Sequence, residues 1–149
     1  MKFSTLIILP LSILCVPVNN RGKPSNRQSR TKSSTGAAYF MTNDPKGNSI
    51  VINRIQNDGK LAFSKTIQTQ GNGAGGFDTN SNDTVGPDGL FSQDSVVVGN
   101  NFLFAANAGS NSISTFQINK NDPTKLQFLN VVPSGGDFPV ALTFSSKLG

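Results

Sequence analysis

Chemistry in this chain has to be built from a short supply of acids and bases. The sequence has no histidine and no glutamate, and its single cysteine is Cys15. Beyond residue 36 the titratable side chains are eight aspartates, six lysines, Arg54 and Tyr39. That inventory excludes a Ser-His-Asp or Cys-His nucleophile system, because neither imidazole nor thiol is present there to supply base or nucleophile. It also leaves zinc without its usual ligands. Two aspartates sharing acid and base roles remain chemically open, but no spacing fixes a pair at a working distance. No catalytic residue, metal ligand or cofactor is therefore assigned. The Asp/Asn-rich run "FDTNSNDTVGPDG" (residues 77–89) lacks the bidentate glutamate and alternating ligand positions of an EF-hand and reads as a solvated loop. Within it Asn82-Asp83-Thr84 is an N-glycosylation sequon, which makes Asn82 a glycan acceptor if the chain is exported.

The elements that position these residues begin after a distinctive N-terminus. Residues 1–18, "MKFSTLIILPLSILCVPV", pair Lys2 with an apolar run too short to span a bilayer, the pattern of a signal peptide; an uncleaved signal anchor is the alternative. Residues 19–36 place Arg21, Lys23, Arg27, Arg30 and Lys32 among Ser, Asn, Gln and Pro, a basic linker that cannot bury enough to order itself. The net charge of +5 comes from these N-terminal cations; beyond Thr35 seven basic residues face eight aspartates, leaving −1. Specific nucleic-acid binding is not expected, since the basic stretch has neither stacking aromatics nor a recognition motif.

From residue 37 onward the patterning is all-β. "AAYFMTN", "NSIVINRI", "LAFSKTIQ", "SVVVG", "NFLFAAN", "SISTFQI", "LQFLNVV" and "PVALTF" are short runs rich in Val, Ile, Phe and Thr, each bounded by Gly, Asn, Asp or Pro. In Ser112–Ile118 the alternation turns Ser114, Phe116 and Ile118 to a buried face. The runs repeat: "FMTN" (40–43) matches "FAAN" (104–107), "NSIVINRI" matches "NSISTFQI", and "GKLAF" matches "TKLQF", at offsets of 63 to 65. Removing about 20 residues of Gly/Asn/Asp-rich insertion returns the period of a four-stranded propeller blade. The expectation is a partial β-propeller over 37–149, of about two antiparallel four-stranded blades: a blade at 37–70 with only three strands, an inserted loop at 71–93, a four-stranded blade at 94–132, and an orphan strand at 138–144.

"GPDGLFSQ", "NAGSNSIS", "DPTKL" and "GGDFPV" together resemble the fungal secreted proteins known as 3-carboxymuconate cyclase-like, within the seven-bladed lactonase group that includes 6-phosphogluconolactonase. The resemblance covers roughly residues 37–144 and implies a propeller, whereas this chain holds two blades and a fraction. Strand directions in such blades send Asp44–Gly47, 71–93, Ala108–Ser110 and Pro133–Asp137 to one side, where propellers commonly carry a ligand site. Gln93, Asp94, Asp137 and Phe138 then sit nearest the axis as ligand-face residues; the alternative for Asp94 and Asp137, which the residue type favours, is that they cap turns. Asn43 and Asn107 are expected to bond their own turns. Phe40, Ile52, Phe116 and Phe128 are candidates for the apolar faces that two blades leave open.

The expected function is a secreted, non-catalytic interaction protein of the cell surface or cell wall, binding a protein or carbohydrate partner outside the cell. A lactonase or carboxymuconate cyclase-type enzyme, active only if the remaining blades are supplied, is the alternative. Membrane contact is expected only through an uncleaved signal, and self-association through unpaired strands.

Overall fold

The computed structural model describes residues 36–84 and 89–147; the signal, Cys15 and nearly all of the basic linker lie outside the described residues. Among the described residues, hydrophobic alternation and Asn/Asp/Gly turns write an all-β fold with two main antiparallel sheets. The first is three-stranded in the order β1 (Gly36–Met41), β2 (Ser49–Ile55) and β3 (Leu61–Gln68). A small ladder follows, pairing β4 (Phe77–Asp78) with β5 (Asp83–Thr84) inside the stretch expected to be a plain loop. The second main sheet is a four-stranded meander of β6 (Val96–Gly99), β7 (Phe102–Asn107), β8 (Ser112–Ile118) and β9 (Leu126–Pro133), with a single 3-10 turn at Ala108–Ser110.

Turn chemistry sets each hairpin. Gly59 takes φ +80° between β2 and β3, where Gly59 N bonds Gln56 O at 2.9 Å. That left-handed position is the one glycine fills at least cost. Asn100, at φ 52°, does the same in the two-residue link from β6 to β7. Asp44, Asp58 and Asp122 each accept the amide two residues ahead through a side-chain oxygen, at 2.8, 3.1 and 3.1 Å, so these carboxylates are spent on turns.

The core lies between the two sheets. Ile50, Ile52, Leu103, Ala105 and Phe116 are fully buried together, with Tyr39, Met41, Ile67, Val96 and Phe128 packed against them. Phe116 meets Phe128 edge-on, ring centroids 5.6 Å apart. Ile52, Phe116 and Phe128, expected as candidates for open faces, thus occupy the interior; of that group Phe40 alone is half exposed, on the outer side of the first sheet. Tyr39 ties the sheets at their far end by donating to Pro123 O at 2.7 Å.

The expected strand at 138–144 does not form. Pro139 removes one ladder donor, and the segment instead crosses β6 and β7: Leu142 N bonds Asp94 O at 2.9 Å, and the Phe144 ring stacks on Phe104 at 5.8 Å.

Candidate functional site

The loops leaving β1, β3, β7 and β9 meet at one end of the sheets. Gly73 N bonds Asp44 O at 2.8 Å, Gly109 N bonds Asn72 O at 3.0 Å, and Asn72 N bonds Ser110 Oγ at 3.0 Å. Asn43 closes the group with its side-chain amide, which donates to Ala74 O at 2.7 Å and accepts from Ala74 N at 3.0 Å. Its partner is thus the loop after β3, not its own turn. Backbones approach this closely only where side chains are absent: a Cβ on Gly71 would stand 2.5 Å from the Asn107 amide, and one on Gly73 would strike the Asn43 carbonyl.

Beneath the loops lies a buried polar cluster that sequence reasoning assigned to local turns. Asn107, fully buried, accepts at Oδ1 from Thr69 Oγ1 (2.7 Å), just past β3, and from Asn48 Nδ2 (3.0 Å), just before β2. Its Nδ2 donates to Ser114 Oγ (2.8 Å) and Ser112 Oγ (3.3 Å) of its own sheet. Ser114 Oγ donates onward to Thr69 O at 2.5 Å. No buried side-chain nitrogen or oxygen among the described residues lacks a partner, so the cluster is complete without a ligand. Its work is to hold the loop end of one sheet against the other. The signal in the sequence was Asn at the end of an apolar run in "FAAN" together with the repeated "NS", but loop-like composition reads as turn chemistry.

The four ligand-face candidates fall on two connected stretches at the surface. Asp137, exposed, accepts from Asn111 Nδ2 at 2.7 Å, and Phe138 N donates to Asn111 Oδ1 at 2.9 Å. Asn111 thereby clamps both, and Phe138 is held at φ 51°, a left-handed conformation that a bulky residue adopts at a cost. Gln93 and Asp94 are exposed. They join the same segment through Ser92 Oγ, which donates to Val140 O, and through the Leu142–Asp94 backbone bond. Two residues of chain, at most about 7 Å, separate Phe138 from Val140.

Electrostatics at this end is mild. Backbone and hydroxyl donors lower the Asp78 carboxyl, first among them the Asn80 amide, and the Thr124 hydroxyl lowers Asp122 at the opposite end. Among the described residues no three carboxylates or other metal-ligating groups gather. Asn82 stands exposed at φ 55° in the turn between β4 and β5. The arrangement can present an aromatic ring, a carboxylate and a rim of amide and hydroxyl groups to a surface or an oligosaccharide. No protein-family model matches this chain, and neither a curated protein nor a solved structure matches it.

Proposed function

We propose that this chain is a secreted, non-catalytic interaction module built on two blades of a propeller-type ring, which binds a protein or carbohydrate partner at the cell exterior through its loop end. One observation carries the reading. Asn111 spends both ends of its amide on Asp137 and Phe138, holding an exposed carboxylate next to a strained aromatic without any bond to the buried cluster. A residue kept in a costly backbone conformation at the surface is the mark of a built contact point. An aromatic flanked by polar groups is also how proteins commonly grip sugars and partner loops. The blade reading is supported by the consecutive order β6-β7-β8-β9 and by the return of the chain across β6 and β7 after β9. Export is supported by the apolar run and Lys2 in residues 1–18.

The test is binding of the purified chain to cell-wall polysaccharides and to extracellular protein preparations, compared with Phe138→Ala and Asp137→Asn. Loss of binding in both variants at unchanged thermal stability is the expected result. Binding that survives both, or a saturable turnover of lactones that Asp137→Asn abolishes, overturns it.

A further inference from the structure

The two main sheets are copies of one design, and their ladders fix the correspondence residue by residue. Tyr39 pairs Ile52 and Met41 pairs Ile50 in the first sheet; Phe104 pairs Thr115 and Ala106 pairs Ile113 in the second. Ile50 pairs Ile67 as Ile113 pairs Val132. Even the irregularities coincide: the β2–β3 ladder slips between Ile52 and Asn53, and the β8–β9 ladder slips between Thr115 and Phe116, leaving Ser64 and Leu129 as the extra residues.

This correspondence says which face of each sheet is which. The face of the first sheet that covers the core carries Tyr39, Ile50 and Ile67, and its counterparts Phe104, Ile113 and Val132 lie on the outer face of the second sheet. Conversely Leu103, Ala105, Leu126 and Phe128, which pack against the first sheet, correspond to Ala38, Phe40, Leu61 and Phe63 on the outer face of the first. Phe40, Leu61 and Phe63 are 50%, 50% and 68% exposed. The sheets therefore stack front to back, and each end of the stack presents the face that the other end is shaped to receive.

Three further features point the same way. The backbone clamp at the exit of β3, where Thr69 N bonds Asn48 O at 2.9 Å, recurs at the exit of β9, where Ser134 N bonds Asn111 O at 2.9 Å. Gly71 of the first clamp presses on Asn107 of the next sheet, whereas its counterpart Gly136 has nothing within 4 Å. Residues 140–144 meanwhile cross the outer side of the second sheet without a ladder of their own, walling a cavity of about 190 Å³ with Val97, Phe104 and Ile113. In the first sheet, β1 is an edge strand among the described residues, where the second sheet has β6 beside β7.

We infer that a second copy of this chain seats the outer face of its three-stranded sheet on the outer face of this copy's four-stranded sheet, with residues 139–144 lying alongside the incoming β1. The contact repeats the internal stacking and is heterologous: the two copies use different surfaces, so it propagates unless rotation closes it. It does not depend on the exported, partner-binding reading above.

Light scattering coupled to size exclusion, across a concentration series of the full chain, gives the first readout. A mass of at least twice the monomer that rises with concentration is expected. Phe63→Lys blocks one surface, and Ile113→Lys or Thr115→Lys blocks the other; each variant alone is expected to run as a folded monomer by circular dichroism and melting. A mixture of Phe63→Lys with either partner variant is expected to form a 1:1 dimer and nothing larger, since each supplies the intact surface that the other lacks. A parent that stays monomeric at every concentration overturns the inference. So does self-association of either single variant, which would mean that like faces meet, or a mixture that stays monomeric.

Discussion

Thr69, the first residue past β3, and Asn107, the last residue of β7, share a buried hydrogen bond of 2.7 Å, with Ser114 Oγ closing the loop back to Thr69 O. A buried amide in contact with four side-chain partners is not replaceable by an apolar group of similar size, because its partners lose their mates while remaining out of water. Asn107→Leu is expected to cost on the order of 3 kcal/mol, read as a lower midpoint in urea with an unchanged slope. A loss below about 1 kcal/mol would mean that water reaches Asn48 and Thr69 and that the cluster carries little of the joint.

The glycines of the two loop clamps separate local strain from contact with the neighbouring sheet. Gly71→Ala drives a Cβ to 2.5 Å from the Asn107 amide, and overpacking of this kind costs about 1–3 kcal/mol. Gly136→Ala meets nothing within 4 Å, so in the monomeric chain it is expected to change stability by less than about 0.5 kcal/mol. Thermal melts of the two variants side by side check the contrast. Equal losses would show that the backbone conformation, not the neighbour, demands glycine.

Burial, and then the Asp122 carboxylate, raise the Tyr39 phenol above its ordinary value of 10.0. At high pH the unfolded chain therefore gives up this proton first. The stability tied to Tyr39 is complete below pH 10 and drains as pH rises through the folded value. Tyr39→Phe is expected to flatten that alkaline decline. At neutral pH it should cost about 1 kcal/mol through loss of the bond to Pro123 O. Chemical denaturation of both proteins from pH 7 to 11 measures the difference, in which the shared lysine titrations cancel. A decline equally steep in both would remove Tyr39 as its cause.

Asn82 is exposed in the β4–β5 turn, in the left-handed backbone region at φ 55°. A chain made through a eukaryotic secretory route is expected to carry a glycan there. Glycosidase treatment should raise gel mobility, and Asn82→Gln should abolish the shift. Unmodified Asn82 in the exported protein would count against it.

Most of the strand plan was legible from the alternation of Val, Ile, Phe and Thr between Asn, Asp and Gly, because hairpins and meanders are local and their turns leave clear marks. The register between the copies was not. Matching "FMTN" to "FAAN" pairs Phe40 with Phe104, whereas the ladders pair Tyr39 with Phe104; the chain between the matched pairs is two residues longer from Met41 to Ile50 than from Ala106 to Ile113, and short motifs slide across such a gap. Because side chains alternate, a slip of one residue exchanges the faces. In β1 it would set Phe40 on the face of Phe104, whereas the ladders put it at the place of Ala105. The strand expected at 138–144 failed for another reason: a strand needs a neighbouring edge, and no local pattern tells whether one will be there. At the candidate site, the positions of Asp137 and Phe138 were legible from the loop, while their clamp by Asn111 depended on a contact 26 residues away.

The order of the two sheets along the chain also has a consequence in time. Each is a meander of short hairpins, and contacts between near neighbours form quickly. The first sheet is complete by Gln68, whereas its cover of Leu103, Ala105 and Phe116 is not made until the chain has grown past β8. At about 5–20 residues per second, synthesis leaves Ile50 and Ile52 bare for several seconds, a window in which a chaperone or another nascent chain competes for the surface that the second sheet will claim.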